Sequence, residues 1–307
     1  MLKFFENDPV FKKSVKLRPV EEISNIQIFR PLAHIILLKI KDKNISPELI
    51  VIIHTFMVIL SSILIYYKNS LFLGLLATLF LQLKTILDNL DGQLARYKNK
   101  TTNLGRYLDT LMDYLGNFTI FIALGLKYNQ LTFSLVSFFI FTFVLSYDFN
   151  IEKIYKGKNC KEKFPHKSTF ENYNNLEYNN LEYNNLEYNN LEIILEKIYN
   201  FLLGYQDKLI IIIENKIYNF LLEFRYSKKF SQNAADQFEN LFWKKEYLNI
   251  TVNMGLSTQL LILGILIIFN LEFYFLYLPF VCLTIIMFLF IFRIVAFIKH
   301  RFKEDKL

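Results

Sequence analysis

The apolar residues of this chain are gathered into long runs, and that constrains its fold more than any other feature. About 20 consecutive apolar residues cover the hydrocarbon thickness of a bilayer as a helix, and such a segment must satisfy its own backbone hydrogen bonds. Six runs of that kind are read here: about Pro47 to Tyr66, Leu71 to Leu90, Gly105 to Leu126, Thr132 to Tyr147, Met254 to Phe269 and Phe273 to Phe297. With 53% hydrophobic residues, 32 of them Phe, and only 21% charged residues in 307, the chain is not expected to be an ordinary soluble domain. The expectation is an all-α polytopic membrane protein, a bundle of six transmembrane helices. Ahead of it, Ile26 to Ile40 mixes apolar residues with Arg30, His34 and Lys39 and reads as a cytoplasmic amphipathic helix at the interface. Ser46-Pro47 is a good helix start, since proline in the first turn loses no needed hydrogen bond.

The net charge of +7 is unevenly distributed. Nine Lys/Arg precede the first run, four lie between the second and third, fourteen between the fourth and fifth, and five from Arg293 onward. The opposite side has Lys68 and Lys127 only. The positive-inside rule then places both termini and the loop around Lys98 in the cytoplasm. This pattern accounts for the basic balance without nucleic acid. The opening stretch carries acidic residues and Pro9 in place of an apolar core, so the first span is expected to insert as an uncleaved anchor. Cys160 and Cys282 are too far apart in context for a disulfide framework or a cysteine metal site.

Four parts follow: residues 1–45, a cytoplasmic amphipathic segment; 46–150, the first four spans; 151–250, a cytoplasmic insert; and 251–307, the last two spans with a basic tail. The insert holds YNNLE four times in tandem, from Tyr173, Tyr178, Tyr183 and Tyr188. A five-residue period turns a helix by about 140° per repeat, so Leu walks around it and makes no stripe. EKIYNFLL at Glu196 returns as NKIYNFLL at Asn215, and these copies read as short amphipathic helices on the membrane or on the protein. The insert reads as low-complexity expansion in a tolerant loop.

The chemistry lies elsewhere. Asp88, Asp91, Gly92, Ala95 and Arg96 close the second run, and Gly105, Asp109 and Asp113 open the third. On a helix Asp88, Asp91 and Ala95 share one face, as do Gly105, Asp109 and Asp113. A basic loop from Tyr97 to Asn103 makes the two a hairpin, so four carboxylates converge at the cytoplasmic edge of the bilayer. Carboxylates there are costly and repel one another. Two divalent ions would balance them, and oxygen ligands suit Mg²⁺ or Mn²⁺. Such ions serve in-line attack on phosphorus. Gly92 and Gly105 either let a ligand approach or merely pack helices. Arg96 either anchors a pyrophosphate or pairs with lipid phosphate. Lys84, one turn before Asp88, either pairs with it, binds a ligand phosphate or snorkels. The acids alone also fit an ion-coupled secondary transporter.

The spacing D-x2-D-G-x2-A-R-x8-G-x3-D-x3-D resembles the signature of the CDP-alcohol phosphatidyltransferases at all eight fixed positions, Asp88 to Asp113. The resemblance extends in outline to the six-span core and leaves the insert uncovered. It implies transfer of a substituted phosphate, a phosphatidyl group above all, from a CDP-alcohol to an acceptor alcohol with release of CMP, in phospholipid synthesis. It implies Asp88, Asp91, Asp109 and Asp113 as metal ligands, Asp113 also as general base, and Gly92 and Ala95 on the cytidine side of the pocket with Arg96 and Gly105 near the donor. It also implies a homodimer in the membrane, the cell (inner) membrane if prokaryotic, with the active site open to the cytoplasm.

The topology is directly measurable. A single cysteine placed at Lys98 should be labelled by an impermeant thiol reagent only from the cytoplasmic side of sealed membranes; labelling from the other side would overturn the orientation.

Overall fold

The computed structural model describes residues 8–16, 18–159, 190–226 and 242–299. In chain order its elements are α1 (Pro9–Ser14), a π-helical turn (Asn25–Phe29) running into α2 (Arg30–Ile40), α3 (Pro47–Tyr67), α4 (Leu71–Tyr97), α5 (Asn103–Lys127) and α6 (Leu131–Asn159). After the undescribed stretch come α7 (Asn190–Tyr199), a π-helical turn (Asn200–Gly204) and α8 (Tyr205–Tyr226). Then follow α9 (Lys245–Val252), α10 (Leu256–Ile268), a 3₁₀ turn (Glu272–Tyr277) and α11 (Leu278–Lys299). No strand occurs among the described residues.

The helix starts are written in the sequence. Ser46, Ser70 and Thr102 each accept a hydrogen bond from the third residue onward, Leu49, Leu73 and Gly105, and so cap α3, α4 and α5. The ends share a second device. Asn99, Asn129 and Asn270 take positive φ of 52°, 54° and 58° just beyond α4, α5 and α10. The next residue then returns its N–H to the carbonyl five positions back: Lys100 to Ala95, Gln130 to Gly125 and Leu271 to Leu266, all at 2.8 Å. Asparagine tolerates this left-handed conformation better than most residues, so each chain reversal is tight.

Five stretches are long and apolar enough to cross a membrane: Pro47–Tyr67, Leu71–Tyr97, Leu131–Lys156, Lys245–Ile268 and Glu272–Lys299. The third of the six expected spans corresponds to α5. At 25 residues it is long enough, but it carries Arg106, Asp109 and Asp113 in its first half and does not join the five. It packs between α3 and α6 all the same. Helix α4 continues beyond the expected Leu90 to Tyr97, and α6 beyond Tyr147 to Asn159. Most of the YNNLE tract lies outside the described residues, and its last copy enters α7.

Helix α3 packs on both α4 and α5, α10 packs on α4, and α11 on α6. Val58, Leu81, Phe121, Phe138, Leu263 and Phe275 meet in the centre of this bundle. At Gly116 an added Cβ would overlap Val58, so α3 and α5 come close because a side chain is missing there. The amphipathic N-terminal segment is bound to the bundle. Its Glu22 carboxylate accepts from Thr258 N (2.9 Å) and Oγ1 (3.0 Å) at the start of α10, where helix N–H groups favour an anion.

Two buried ionic groups hold the periphery. Glu272 accepts from both Lys68 and Lys127 at 2.8 Å each, and the two lysines also donate to the carbonyls of Ile267 and Ile65. The two basic residues counted on the non-cytoplasmic side are thus shared by one carboxylate. Arg293, read from sequence as part of the basic flank, is instead buried. It grips Glu214 of α8 through Nη2 and Nη1, at 2.7 and 3.2 Å, and its Nη2 also donates to Tyr147 Oη at 3.1 Å. Phe242 and Trp243 cover its face. The second EKIYNFLL-like copy therefore docks on protein: α8 lies on α6, and Asp207 accepts from Asn150 at 2.7 Å.

A buried pair with one partner removed costs about 3–5 kcal/mol. Glu214→Ala should lower the thermal midpoint of the detergent-solubilised protein accordingly and expose α8 to protease. Glu214→Leu combined with Arg293→Met should recover much of the loss. An unchanged midpoint in Glu214→Ala would show that this pair does not anchor the insert.

Candidate metal centre and active site

The α4–α5 hairpin forms as its sequence suggests, and Lys98 Nζ ties its turn to the α2–α3 connection through the carbonyls of Lys43 and Ile45 at 2.6 and 2.9 Å. Asp88 and Asp91 stand on the end of α4, and Asp109 and Asp113 on the start of α5. Helix α3 crosses both and inserts a residue that the motif does not contain, His54, whose side chain is fully buried.

His54 Nε2 stands 3.2 Å from Asp91 Oδ2 and 3.6 Å from Asp109 Oδ1. One ligand atom from each of His54, Asp88, Asp91 and Asp109 falls within 4.8 Å of the others. Asp113 stands beside this group and turns to Lys84, with Oδ1 at 2.7 Å from Nζ, while Asp88 Oδ2 lies 3.9 Å from the same nitrogen. The floor is closed, since His54, Lys84 and Asp91 are buried. The mouth is at Asp109, whose side chain is 39% exposed.

Proximity here is not hydrogen bonding. His54 Nε2, Asp91 Oδ2 and Asp109 Oδ1 are shut off from solvent and have no hydrogen-bond partner among the described residues. Buried polar atoms without partners are rare and costly. An imidazole nitrogen and carboxylate oxygens converging on one point, without hydrogen-bond geometry between them, are what a divalent cation requires. The residues present therefore fit a metal ion. The ligand atoms include a nitrogen, where the hairpin motif alone offers only oxygens.

The other expected site residues sit around this centre. Gly92 is covered by the Arg96 guanidinium, whose nitrogens would lie 3.2 and 3.3 Å from an added Cβ. Arg96 Nε donates to Ser14 O at 2.5 Å, so the structure gives this arginine a backbone partner in the N-terminal segment. That segment also runs along α4 through Asn89 to Asn25 (3.1 Å) and Gln93 to the Arg30 carbonyl (3.2 Å). Ala95 is half-buried on the same end of α4. Gly105 lies in the first turn of α5, where its N–H is bound by Thr102 and an added Cβ would crowd Thr102 Oγ1. Its place is the hairpin's second cap, apart from the carboxylates' own contacts.

His54 escapes the motif reading because it lies 34 residues before Asp88 in an otherwise apolar run. Its one sequence signal is that an ionisable residue inside a span is expensive and marks function. Lys84 is only half legible. Its 1% side-chain exposure excludes snorkelling, and its nearer partner is Asp113, on the other helix, ahead of Asp88 on its own.

Residues 44–169 match the family model described as CDP-alcohol phosphatidyltransferase. The matched stretch contains His54, Lys84 and all four aspartates. An uncharacterised protein of Aquifex aeolicus (strain VF5) is 39% identical over 85 residues, covering 28% of this chain and 41% of that protein. The chain thus spans less than half the length of this relative. The family domain supports a transferase reaction of this kind, and the family uses divalent metal ions.

Membership of the ligand set can be measured on the metal alone. His54→Ala and Asp91→Asn should each weaken Mn²⁺ binding to the purified protein at least about tenfold, or about 1.4 kcal/mol by calorimetry. Unchanged affinity in His54→Ala would remove His54 from the set.

Proposed function

We propose that this chain uses its CDP-alcohol phosphatidyltransferase domain to transfer a phosphatidyl group from CDP-diacylglycerol to an acceptor alcohol, releasing CMP, in phospholipid synthesis. The observation that carries the reading is the convergence of His54, Asp88, Asp91 and Asp109 on one point beside Asp113, inside the residues matched to that family. The acceptors to weigh are glycerol phosphate, inositol or its phosphate, and serine. CDP-choline or CDP-ethanolamine with diacylglycerol is the ranked alternative.

His54, Asp88, Asp91 and Asp109 would hold Mg²⁺ or Mn²⁺; the nitrogen donor favours Mn²⁺ over an all-oxygen preference for Mg²⁺. When bound, the ion neutralises phosphoryl oxygens and makes CMP a better leaving group. The protein's own groups do the rest. Asp113, held through Oδ1 by Lys84, keeps Oδ2 for the acceptor hydroxyl and takes its proton as the new O–P bond forms. The P–O bond to CMP breaks on the opposite side of phosphorus. Gly92 and Ala95 leave room on α4 for the cytidine moiety, and the Arg96 guanidinium over Gly92 is available to the pyrophosphate. Gly105 keeps the neighbouring turn of α5 free of side-chain bulk. The half-exposed Asp109 marks the side from which substrates enter. In this reading that side is cytoplasmic, the lipid donor enters from the surrounding bilayer, and the chain works as a homodimer.

The experiment is CMP release from CDP-diacylglycerol by the purified full chain, over a panel of acceptors and with Mg²⁺ or Mn²⁺ titrated. Asp113→Asn should cost about 10²- to 10⁴-fold in rate, the usual worth of a general base, with no recovery in excess metal. Asp88→Asn, Asp91→Asn and Asp109→Asn should recover in part. Full metal rescue of Asp113→Asn would end its assignment as base, and no CMP from the unmodified protein with any donor would overturn the transferase reading.

A further inference from the structure

The described part of the insert is a nearly continuous helical stretch, α7 and α8 joined by the π-helical turn Asn200–Gly204. Polar contacts fix its level on the bundle. Gln206 Nε2 donates to Thr142 Oγ1 at 3.1 Å, Ser146 Oγ donates to Gln206 Oε1 at 3.2 Å, and Asn150 Nδ2 donates to Asp207 Oδ1 at 2.7 Å. At a rise of about 1.5 Å per residue, these three partners lie about 17, 23 and 29 Å along α6 from Leu131. A hydrocarbon core is about 30 Å thick, and Leu131–Lys156 is one of the five apolar spans. The start of α8 therefore lies at one edge of that layer. Its direction is fixed too. Gln206 and Glu214 are two turns apart on α8, yet their partners Ser146 and Tyr147 are neighbours on α6, and Glu214 also meets Arg293 of α11. Helix α8 thus runs across α6 towards α11, not along them.

We propose that α7 and α8 form an in-plane membrane anchor, docked on the bundle by one face and bedded by a second, apolar face in the acyl-chain boundary of the surrounding bilayer. Helix α8 has three faces, about 120° apart at about 100° per residue. Ile210, Glu214, Tyr218 and Leu221 are buried on the bundle side. Tyr205, Leu209, Ile213, Phe220 and Phe224 are exposed on the second face. Lys208, Asn215 and Asn219 are exposed on the third. A helix that only packed on protein in water would present polar residues on both open faces. Separate apolar and polar open faces are what the boundary between acyl chains and headgroups selects. The apolar face continues through the π-helical turn to Phe201, Ile198 and Ile194 of α7, each three or four residues from the next. Lys216 is exposed within this face, and its stem is long enough to carry the ammonium to the headgroup phosphates.

Lipid is the occupant that the neighbouring surface selects. Phe139 and Phe149, exposed on α6, flank the stretch of that span which α8 touches, and Phe288 and Phe292 are exposed on α11. The open face of α8 continues these lipid-facing surfaces. In water, so large an apolar surface would be a liability. The anchor also bears on α5, the helix whose first half is too polar to rank with the apolar spans. Helix α7 lies against α5, and the Tyr199 ring stands 5.5 Å from that of Tyr107, two residues before Asp109. Tyr199 Oη in turn donates to Asp207 at 2.6 Å. The anchor thereby screens the polar start of α5 from acyl chains and ties the end that carries Asp109 to the membrane boundary. It requires that α6 spans the bilayer and is independent of the reaction.

The test is spin-label accessibility in the full chain, reconstituted in vesicles of phosphatidylcholine and phosphatidylglycerol. Single cysteines replace Leu209, Ile213 or Phe220 on the apolar face, Lys208, Asn215 or Asn219 on the polar face, and Phe288 of α11 as the lipid reference, with Cys160→Ser and Cys282→Ala removing the native thiols. Nitroxides at 209, 213 and 220 should be relaxed by oxygen and hardly by a water-soluble nickel chelate, as at 288; those at 208, 215 and 219 should show the reverse. Nickel access at 209, 213 and 220 equal to that at 215 and 219 would place the face in water and overturn the anchor. Exclusion of both relaxants there would show that protein, a second copy or another partner, covers the face, and would overturn it equally. The unmodified protein gives a second measurement that needs no substitution. A phosphatidylcholine with a diazirine in its acyl chain should form adducts on peptides containing Leu209, Ile213 or Phe220. Adducts on α11 with none on α8 would overturn the proposal.

Discussion

Charge without a partner is the most expensive thing this bundle could contain, because neither water nor lipid tails can stabilise it there. The signature brings four carboxylates to the inner ends of α4 and α5 and provides only Arg96 in compensation, which Ser14 holds. Side chains outside the motif meet them: a cation at one end and a candidate metal ligand at the other. Lys84 faces Asp113 and Asp88, and His54 from α3 stands between Asp91 and Asp109. Both reach the centre only because α3, α4 and α5 pack against one another. The close approach at Gly116, where α5 meets Val58 of α3, is therefore part of how the site is built.

The same rule shapes the periphery. On one side Glu272 takes both Lys68 and Lys127, tying the ends of α3 and α5 to the turn before α11. Elsewhere Glu214, Arg293 and Tyr147 tie the insert to α6 and α11. Each group joins elements far apart in sequence, and each leaves no bare charge behind. Groups of this kind contribute more to which helices pair than to net stability, since desolvation offsets much of their attraction.

The N-terminal segment and the insert are more than appendages. Residues of the segment bind Arg96, Asn89 and Gln93 on the signature end of α4, so the wall of the site is made partly by chain that precedes the matched family domain. Helix α7 lies on α5, where Tyr199 meets Tyr107 two residues before Asp109. The site is thereby flanked by elements that lie outside the matched residues 44–169.

The sequence alone determined the helical class, the starts of α3 and α4 at Ser46 and Ser70, the hairpin and the convergence of Asp88, Asp91 and Asp109, because these depend on local periodicity, capping and spacing along one or two adjacent helices. The sequence shows Arg106, Asp109 and Asp113 in the first half of α5, which keeps it out of the five apolar spans; it did not determine that this polar helix still packs on α3 and α6 in the bundle. Nor could it name His54, 34 residues from the motif, or choose among the three roles open to Lys84. The burial of Arg293 against Glu214 and the capture of Arg96 by Ser14 were equally out of reach. Which buried charge meets which is decided by the crossing of helices, and helix crossings depend on packing across the whole bundle, which no spacing within a single segment encodes.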